Sequence, residues 1–334
     1  MKKKINVAII GLGVGERHLQ TLIKSKNVNK IKIYDLNKLK EKKISKQYNV
    51  ECYKTSADIF SDNKIDLVID ASYDNYHFDH IKFSIKSKKH IFVEKPAFQK
   101  LSQAKICFQL LKKNNKIFFG TNFILRTSPR FKKIKKMIKN NKFGDIFHFE
   151  GDYNYGRLEK LTNGWRGKIP YYSITSGGGS HIIDLANYFI NKKIIEVKSY
   201  SNNIVTKKSS FKYDDNVISI LKFENNILGK ISSNFSCVYP HFHKLTLYGT
   251  KLTFENYKSH GQIYIKRNDE KNFKIKDPYK PVNKGEVLEK FINSIIKKKN
   301  RDVYLKQVFN VMSVCFAIER STKINRSVKV KYLK

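Results

Sequence analysis

Short apolar runs alternate with amphipathic stretches over the first 120 residues. Ile5–Ile10, Lys30–Tyr34, Ile65–Asp70, His90–Val93 and Lys116–Phe119 are rich in Ile, Val and Phe, as expected of strands buried in a sheet. Between them, Glu16–Ser25, Leu39–Tyr48, Tyr76–Ser87 and Ser102–Lys113 carry helical patterns. Strand–helix alternation of this kind predicts right-handed βαβ units and a parallel sheet.

The pattern changes after Asn122. A basic amphipathic helix is predicted over Pro129–Asn140, with Phe131, Ile134 and Ile138 on one face. Strands follow at Ile146–Tyr155, Ile194–Val205, Asn216–Phe223, Ile227–Phe235, Lys244–Tyr248, Lys251–Glu255 and Gln262–Lys266. Their density and short turns predict an antiparallel sheet. Helices over Lys284–Lys297 and Val303–Thr322 close the chain. The expected organisation is an α/β Rossmann domain, 1–122, and an α+β domain, 123–334, whose C-terminal helix can pack back on the first. No repeat and no Pro- or Gly-rich linker separates them.

Composition changes this picture little. The formal charge is +39, from 67 Lys+Arg against 28 Asp+Glu. Such an excess first suggests a nucleic-acid or anionic-membrane partner. It is spread evenly, however, and lysine carries it, with only 9 Arg, whereas base readers and phosphate clamps favour clustered Arg. A solvated Lys-rich surface is the better reading, so neither nucleic acid nor membrane is expected as a partner. Cys52, Cys107, Cys237 and Cys315 form no C-x-x-C pair, which fits a reducing compartment. The apolar run Val7–Ile10 is too short for a signal peptide, and no stretch is long enough to span a membrane. A cytoplasmic protein is expected.

The first strand runs directly into Gly11-Leu12-Gly13-Val14-Gly15-Glu16 at the start of a helix. Glycine lets backbone approach a pyrophosphate, and a helix N-terminus offers unpaired N–H donors and a positive dipole end. Asp35 ends the second strand 22 residues after Gly13, where a carboxylate can bind ribose hydroxyls and favour NAD over NADP. Lys38 nearby leaves NADP open. Gly15 comes one residue early, with Glu16 where a third glycine is usual. His241 and His243 have metal-like spacing but no Cys or acidic partners nearby, so no metal site is expected.

Several further segments together resemble a known family, the glucose–fructose oxidoreductase, inositol dehydrogenase and MocA group. They are the glycine loop followed by His18, Ala71-Ser72-Tyr73-Asp74-Asn75-Tyr76-His77, and Glu94-Lys95-Pro96. Downstream lie Asn122 with Arg126, Trp165-Arg166, Gly177-Gly178-Gly179-Ser180-His181-Ile182-Ile183-Asp184, and Tyr248-Gly249-Thr250. The resemblance covers essentially the whole chain. It implies a Rossmann domain followed by an α+β domain with an open antiparallel sheet, and NAD(P)-linked oxidation or reduction of sugars, inositols or nucleotide sugars. It also implies a homodimer or homotetramer.

Lys95 stands at a strand's carboxyl end, the edge where α/β sheets bind ligands, and is expected to move the substrate hydroxyl's proton with His181. The family usually carries an acid four positions before this histidine; here it is Gly177. Gly11, Gly13, Val14, Gly15, Asp35, Ser72, Asn75, His77, Glu94, Lys95 and Asn122 are expected to meet the cofactor. Asp184, Arg126, Trp165, Arg166 and Tyr172 are expected at the substrate, the arginines as forks for a diphosphate and the aromatics as stacking faces. A nucleotide sugar is therefore the first substrate expectation, and a free sugar or inositol the second. An NAD-bound sensor without catalysis is the alternative from another class.

Overall fold

The computed structural model describes residues 4–265, 267 and 272–333; Lys266, the end of one predicted strand, lies outside them. The chain divides into two compact units. One holds residues 4–122, 284–310 and Leu333, the other 123–283 and 311–332.

In the first unit, β1 (Ile5–Ile10), β2 (Val28–Tyr34), β3 (Glu51–Cys52), β4 (Leu67–Asp70), β5 (His90–Val93) and β6 (Phe119–Thr121) form one sheet in the order 3-2-1-4-5-6. Every pair is parallel. This is the strand order of a doubly wound dinucleotide-binding fold. Its helices are α1 (Gly15–Ile23), α2 (Lys38–Tyr48), α3 (Ala57–Ser61), α4 (His77–Lys86) and α5 (Leu101–Lys113). Val7, Ala8, Ile9, Val68, Ile69, Ile91 and Phe92 are fully buried, as strands covered on both faces require. β6 begins three residues later than predicted, because Ile117 donates to the Asn114 carbonyl in a turn. β3 is exposed and only two residues long, too short to leave a periodic signal.

This unit recruits chain from beyond residue 122. The helix Glu286–Lys297 places Leu288, Phe291, Ile292 and Ile295 in the same core as Leu19, Leu22, Phe92 and Phe118. A Cβ at Gly120 would lie 2.7 Å from the Phe291 ring, so glycine on β6 is what admits that helix.

The second unit begins with α6 (Pro129–Lys139), capped by the Ser128 hydroxyl, which accepts from the Phe131 N–H. Its sheet contains β7 (Ile146–Asn154), β8 (Ile194–Asn202), β9 (Asn216–Phe223), β10 (Leu228–Asn234), β11 (Phe242–Gly249), β12 (Thr253–Asn256), β13 (Gly261–Tyr264), β14 (Phe273–Ile275) and β15 (Val328–Lys329). The order is 14-13-12-11-7-10-9-8-15. All pairs are antiparallel except β7 with β10, so the sheet is mixed and mainly antiparallel. Between β7 and β8, α7 (Glu159–Thr162) precedes α8 (Ser180–Ile190), most of whose residues are buried. Gly151 of β7 admits α8, since a Cβ there would lie 2.4 Å from Ile182. After α9 (Glu286–Lys297), α10 (Arg301–Ile324) belongs to the first unit up to Asn310 and to the second from Val311. Among the described residues no helix is long and apolar enough to cross a membrane.

Candidate active site

In the first unit the candidate residues gather where strands end. Gly11 follows β1 at φ +83°, and a Cβ there would lie 2.5 Å from the Ala71 carbonyl oxygen; only glycine fits both demands. Nothing approaches within 4 Å of a Cβ placed on Gly13, leaving open space in front of that backbone. A Cβ on Gly15 would already press on Ile9 at 3.0 Å, so this early glycine serves the close packing of α1 on β1. Val14 caps α1 without any side-chain bond and is 44% exposed.

Asp35 is tied to the same loop. Its Oδ2 accepts the Leu12 N–H at 2.6 Å and its Oδ1 the Asn37 N–H at 2.8 Å. Each oxygen keeps acceptor capacity. Beside it, buried Glu41 accepts the Asp35 N–H at 3.1 Å and pairs with Lys38 at 2.9 Å. Lys38 is thus engaged by a carboxylate, which removes it as an obvious 2′-phosphate partner.

Glu94 follows β5 and is held by two side chains. His18 Nε2 lies 2.9 Å and Asn122 Nδ2 2.8 Å from the same Oε1. Burial works to raise the Glu94 carboxyl, yet these bonds, the His18 charge and neighbouring Lys95 bring it below its ordinary range. His18 therefore joins α1 to the strand end that carries Lys95, itself half-buried.

The segment after β4 contains a second network. Ser72 donates to Asp70 Oδ1 through its hydroxyl at 2.6 Å and its N–H at 3.1 Å, and His80 Nδ1 lies 3.0 Å from Oδ2. Burial would raise the Asp70 carboxyl, but His77, His80 and Ser72 hold it at about 2. His77 is completely buried, with one ring nitrogen 2.8 Å from the Pro96 carbonyl and the other 3.2 Å from that of Ser72. Both nitrogens are spent on protein, so His77 braces the cofactor side of the sheet and does not line it. Asp70 and His80 were missed from sequence. A charged residue closing an otherwise apolar strand, followed by two histidines three apart, was the available signal.

Buried acceptors remain unmet at this strand edge: Asn75 Oδ1, Thr121 Oγ1 and Asn122 Oδ1 have no protein partner among the described residues. Such atoms call for a bound group. With the open backbone at Gly13 and the carboxylate at Asp35, they fit a dinucleotide.

In the second unit, several expected substrate residues bind one another. Arg126 forks onto Asp184, Nε to Oδ2 and Nη2 to Oδ1, both at 2.7 Å. Asp184 is 1% exposed. This corrects the expectation that Arg126 offers its fork to a diphosphate and Asp184 its carboxylate to hydroxyls. Arg166 donates to the Tyr172 hydroxyl at 3.0 Å and lies over the Trp165 ring at 4.6 Å. Tyr172 is 2% exposed, a buried partner of Arg166 and not an open stacking face. His181, on the first turn of α8, stacks on Tyr153 at 6.2 Å and meets His243 edge-on at 6.0 Å. Tyr153 also contacts His241. Tyr153 was missed because its place on β7 shows only alternation. Among the described residues no group of three or more His, Cys, Asp or Glu could hold a metal.

Comparison with known proteins identifies the family. A model described as "Oxidoreductase family, NAD-binding Rossmann fold" matches residues 5–122, and one described as "GFO/IDH/MocA C-terminal domain" matches residues 131–255. The chain belongs to the GFO/IDH/MocA oxidoreductases. Its first unit is therefore an NAD-binding domain. A myo-inositol 2-dehydrogenase of Thermotoga maritima is 25% identical over 259 residues, 74% of this chain and 73% of that protein. A levoglucosan dehydrogenase solved with NADH and levoglucosan superposes with a TM-score of 0.88 at 18% identity, over 99% of this chain and all of that one. A scyllo-inositol dehydrogenase of Lactobacillus casei, with bound NAD(H) and scyllo-inositol, gives 0.82 at 17% identity, over 98% and 99%. The last two establish the shared fold.

Proposed function

We propose that this family member is an NAD-dependent dehydrogenase of a free polyol or cyclic sugar, acting on a ring carbinol. The observation that carries the choice of substrate class is the Arg126–Asp184 fork at 2.7 Å on both arms. A diphosphate is bound by uncompensated cationic forks, and Asp184 occupies the Nε–Nη2 edge of Arg126 and offsets its charge. The named substrates of the relatives, inositols and levoglucosan, are uncharged polyols and favour the same reading. Both grounds set a free sugar or inositol ahead of the nucleotide sugar expected from sequence.

Gly11, Gly13 and the N-terminus of α1 would hold the pyrophosphate, Asp35 the adenosine ribose, and Asn75, Asn122 and Ser72 the nicotinamide side. Bound NAD supplies the hydride acceptor. Lys95 takes up the substrate hydroxyl's proton and His181 is the second proton-handling group. Glu94, fixed by His18 and Asn122, holds the strand end from which Lys95 projects. Arg126 positions Asp184 on α8, one turn beyond His181.

The test is NAD reduction at 340 nm with purified protein and a panel of inositols, pentoses, hexoses, anhydrosugars and UDP-sugars. Turnover with at least one uncharged polyol and none with UDP-sugars is expected. Turnover confined to UDP-sugars would overturn the proposal. Tight NAD binding without turnover on any of them would favour a sensor.

A further inference from the structure

We propose that His77 is held as a permanent imidazolium and pins the Ser72 backbone to the Lys95–Pro96 turn, making it a positioning residue for Lys95. This rests on the reading of Lys95 as the proton-handling group.

The geometry supplies the argument. His77 is the first residue of α4 and has no exposed surface. Its Nδ1 faces the Pro96 carbonyl oxygen at 2.8 Å and its Nε2 the Ser72 carbonyl oxygen at 3.2 Å. A carbonyl oxygen only accepts, so each contact needs an N–H on the ring. Neutral imidazole has one N–H, and its other nitrogen would press a lone pair against a carbonyl lone pair in a site with no exposed surface. Leaving a buried polar atom unmet in that way is costly. The imidazolium satisfies both contacts.

Two effects oppose the charge. Burial disfavours it, and the positive end of the α4 dipole disfavours a cation at the first turn. Two carboxylates answer them. Asp70, fully buried at the end of β4, and Asp74, from the loop before α4, both favour the charged ring, as do the two carbonyls, and the balance raises the His77 pKa above its ordinary value. The other titratable group in this network is His80, one turn along α4, which binds Asp70 on the side chain's second oxygen. Lys95 adjoins Pro96 in the chain.

One ring therefore fixes two backbone segments. Ser72 opens the segment that carries Asn75, and Pro96 follows Lys95. Removing the charge frees both segments at once, and a shift of about 1 Å at a proton-transferring group lowers turnover by up to about a hundredfold.

The test has two readouts. In the holoenzyme labelled with ¹⁵N-histidine, the His77 ring is expected to show two protonated nitrogens at pH 7, where exposed histidines are mostly neutral. Asp70→Asn is expected to move its titration to lower pH. A neutral His77 ring at pH 7 overturns the proposal. In His77→Asn, which offers one amide to two carbonyls, kcat is expected to fall about ten- to a hundredfold, and NAD affinity to fall with it because the Asn75 segment is released too. Unchanged kcat in a folded His77→Asn protein also overturns it. Because the spectrum needs no substrate, a failure of the polyol reading and a failure of this proposal give different results.

Discussion

At Gly177 the absence of a side chain decides where a phenol sits. A Cβ there would lie 2.3 Å from the Tyr172 hydroxyl oxygen and 2.6 Å from the ring carbon that bears it. The acid common in the family at this position therefore cannot coexist with Tyr172 in its present place, and the phenol, bonded to Arg166, occupies that space instead. Gly177→Asp is expected to lose about 1–3 kcal/mol in denaturant titration, as overpacked cores do. Tyr172→Phe should not relieve the loss, since the ring carbon remains, whereas Tyr172→Ala should recover most of it. Wild-type stability in the single Gly177→Asp variant would show that the phenol swings away freely. Lys95 gives the second prediction at this scale. Replacing it with Ala removes the amine proposed to handle the proton, worth about 10²–10⁴-fold in kcat/KM, and should leave NAD affinity within about tenfold, measured by fluorescence titration. Turnover within threefold of wild type would sink its assignment.

Between elements, one contact joins α10 to the segment that leads into α8. Glu319 of α10 takes hydrogen bonds from Tyr171, Ser173 and Ser176, while its Oε1 is buried without a partner among the described residues. Burial pushes its pKa up to about 7 despite those bonds and the Lys323 charge. A carboxyl raised above its unfolded value binds its proton more tightly in the folded state. Its contribution is therefore fully present below about pH 4.5 and is lost as pH rises from there through about 7. Glu319→Gln, which keeps the neutral form at every pH, should match wild type in Tm near pH 4.5. It should exceed wild type by an increment that grows to about 3 kcal/mol at pH 8. A difference that is flat across this range would refute the buried-acid account. None of this was legible in the sequence, where α10 shows only a long apolar pattern with one acid, Glu319, beyond its first turn. The sheet of the first unit was legible because buried parallel strands such as Ile5–Ile10 are near-continuous apolar runs. The helix Glu286–Lys297 was legible as amphipathic, but periodicity does not say which core an apolar face joins, and its allegiance to the first sheet depended on Gly120. The candidate site divides the same way. Gly11, Asp35 and Lys95 were visible through local motifs at strand ends. The Arg126–Asp184 fork was not, because it joins residues 58 apart, and single-residue chemistry made both look like ligands for substrate.

The net charge of +39 belongs to no one element, and its consequence is for the molecule as a whole. With 67 cationic and 28 acidic side chains, most lysines have no carboxylate to pair with, and the folded state concentrates that charge relative to the unfolded chain. Self-repulsion of this kind opposes compactness and weakens as salt shortens the screening length from about 30 Å at 0.01 M to about 8 Å at 0.15 M. Two effects could compete. Screening also weakens favourable pairs such as Lys30–Glu51 and Lys133–Asp277, but these are exposed or half-exposed, and such pairs contribute at most about 1 kcal/mol each. The repulsive excess should win. Tm is therefore expected to rise by several degrees between about 0.01 and 0.15 M NaCl, read by differential scanning fluorimetry at fixed protein concentration. Retention on duplex DNA, which the same diffuse charge permits at low salt, should vanish over that interval as non-specific phosphate contacts do. A Tm that falls with salt would mean that specific ion pairs outweigh the repulsion. DNA retention that survives about 0.3 M would mean that some lysines form a built phosphate-binding surface.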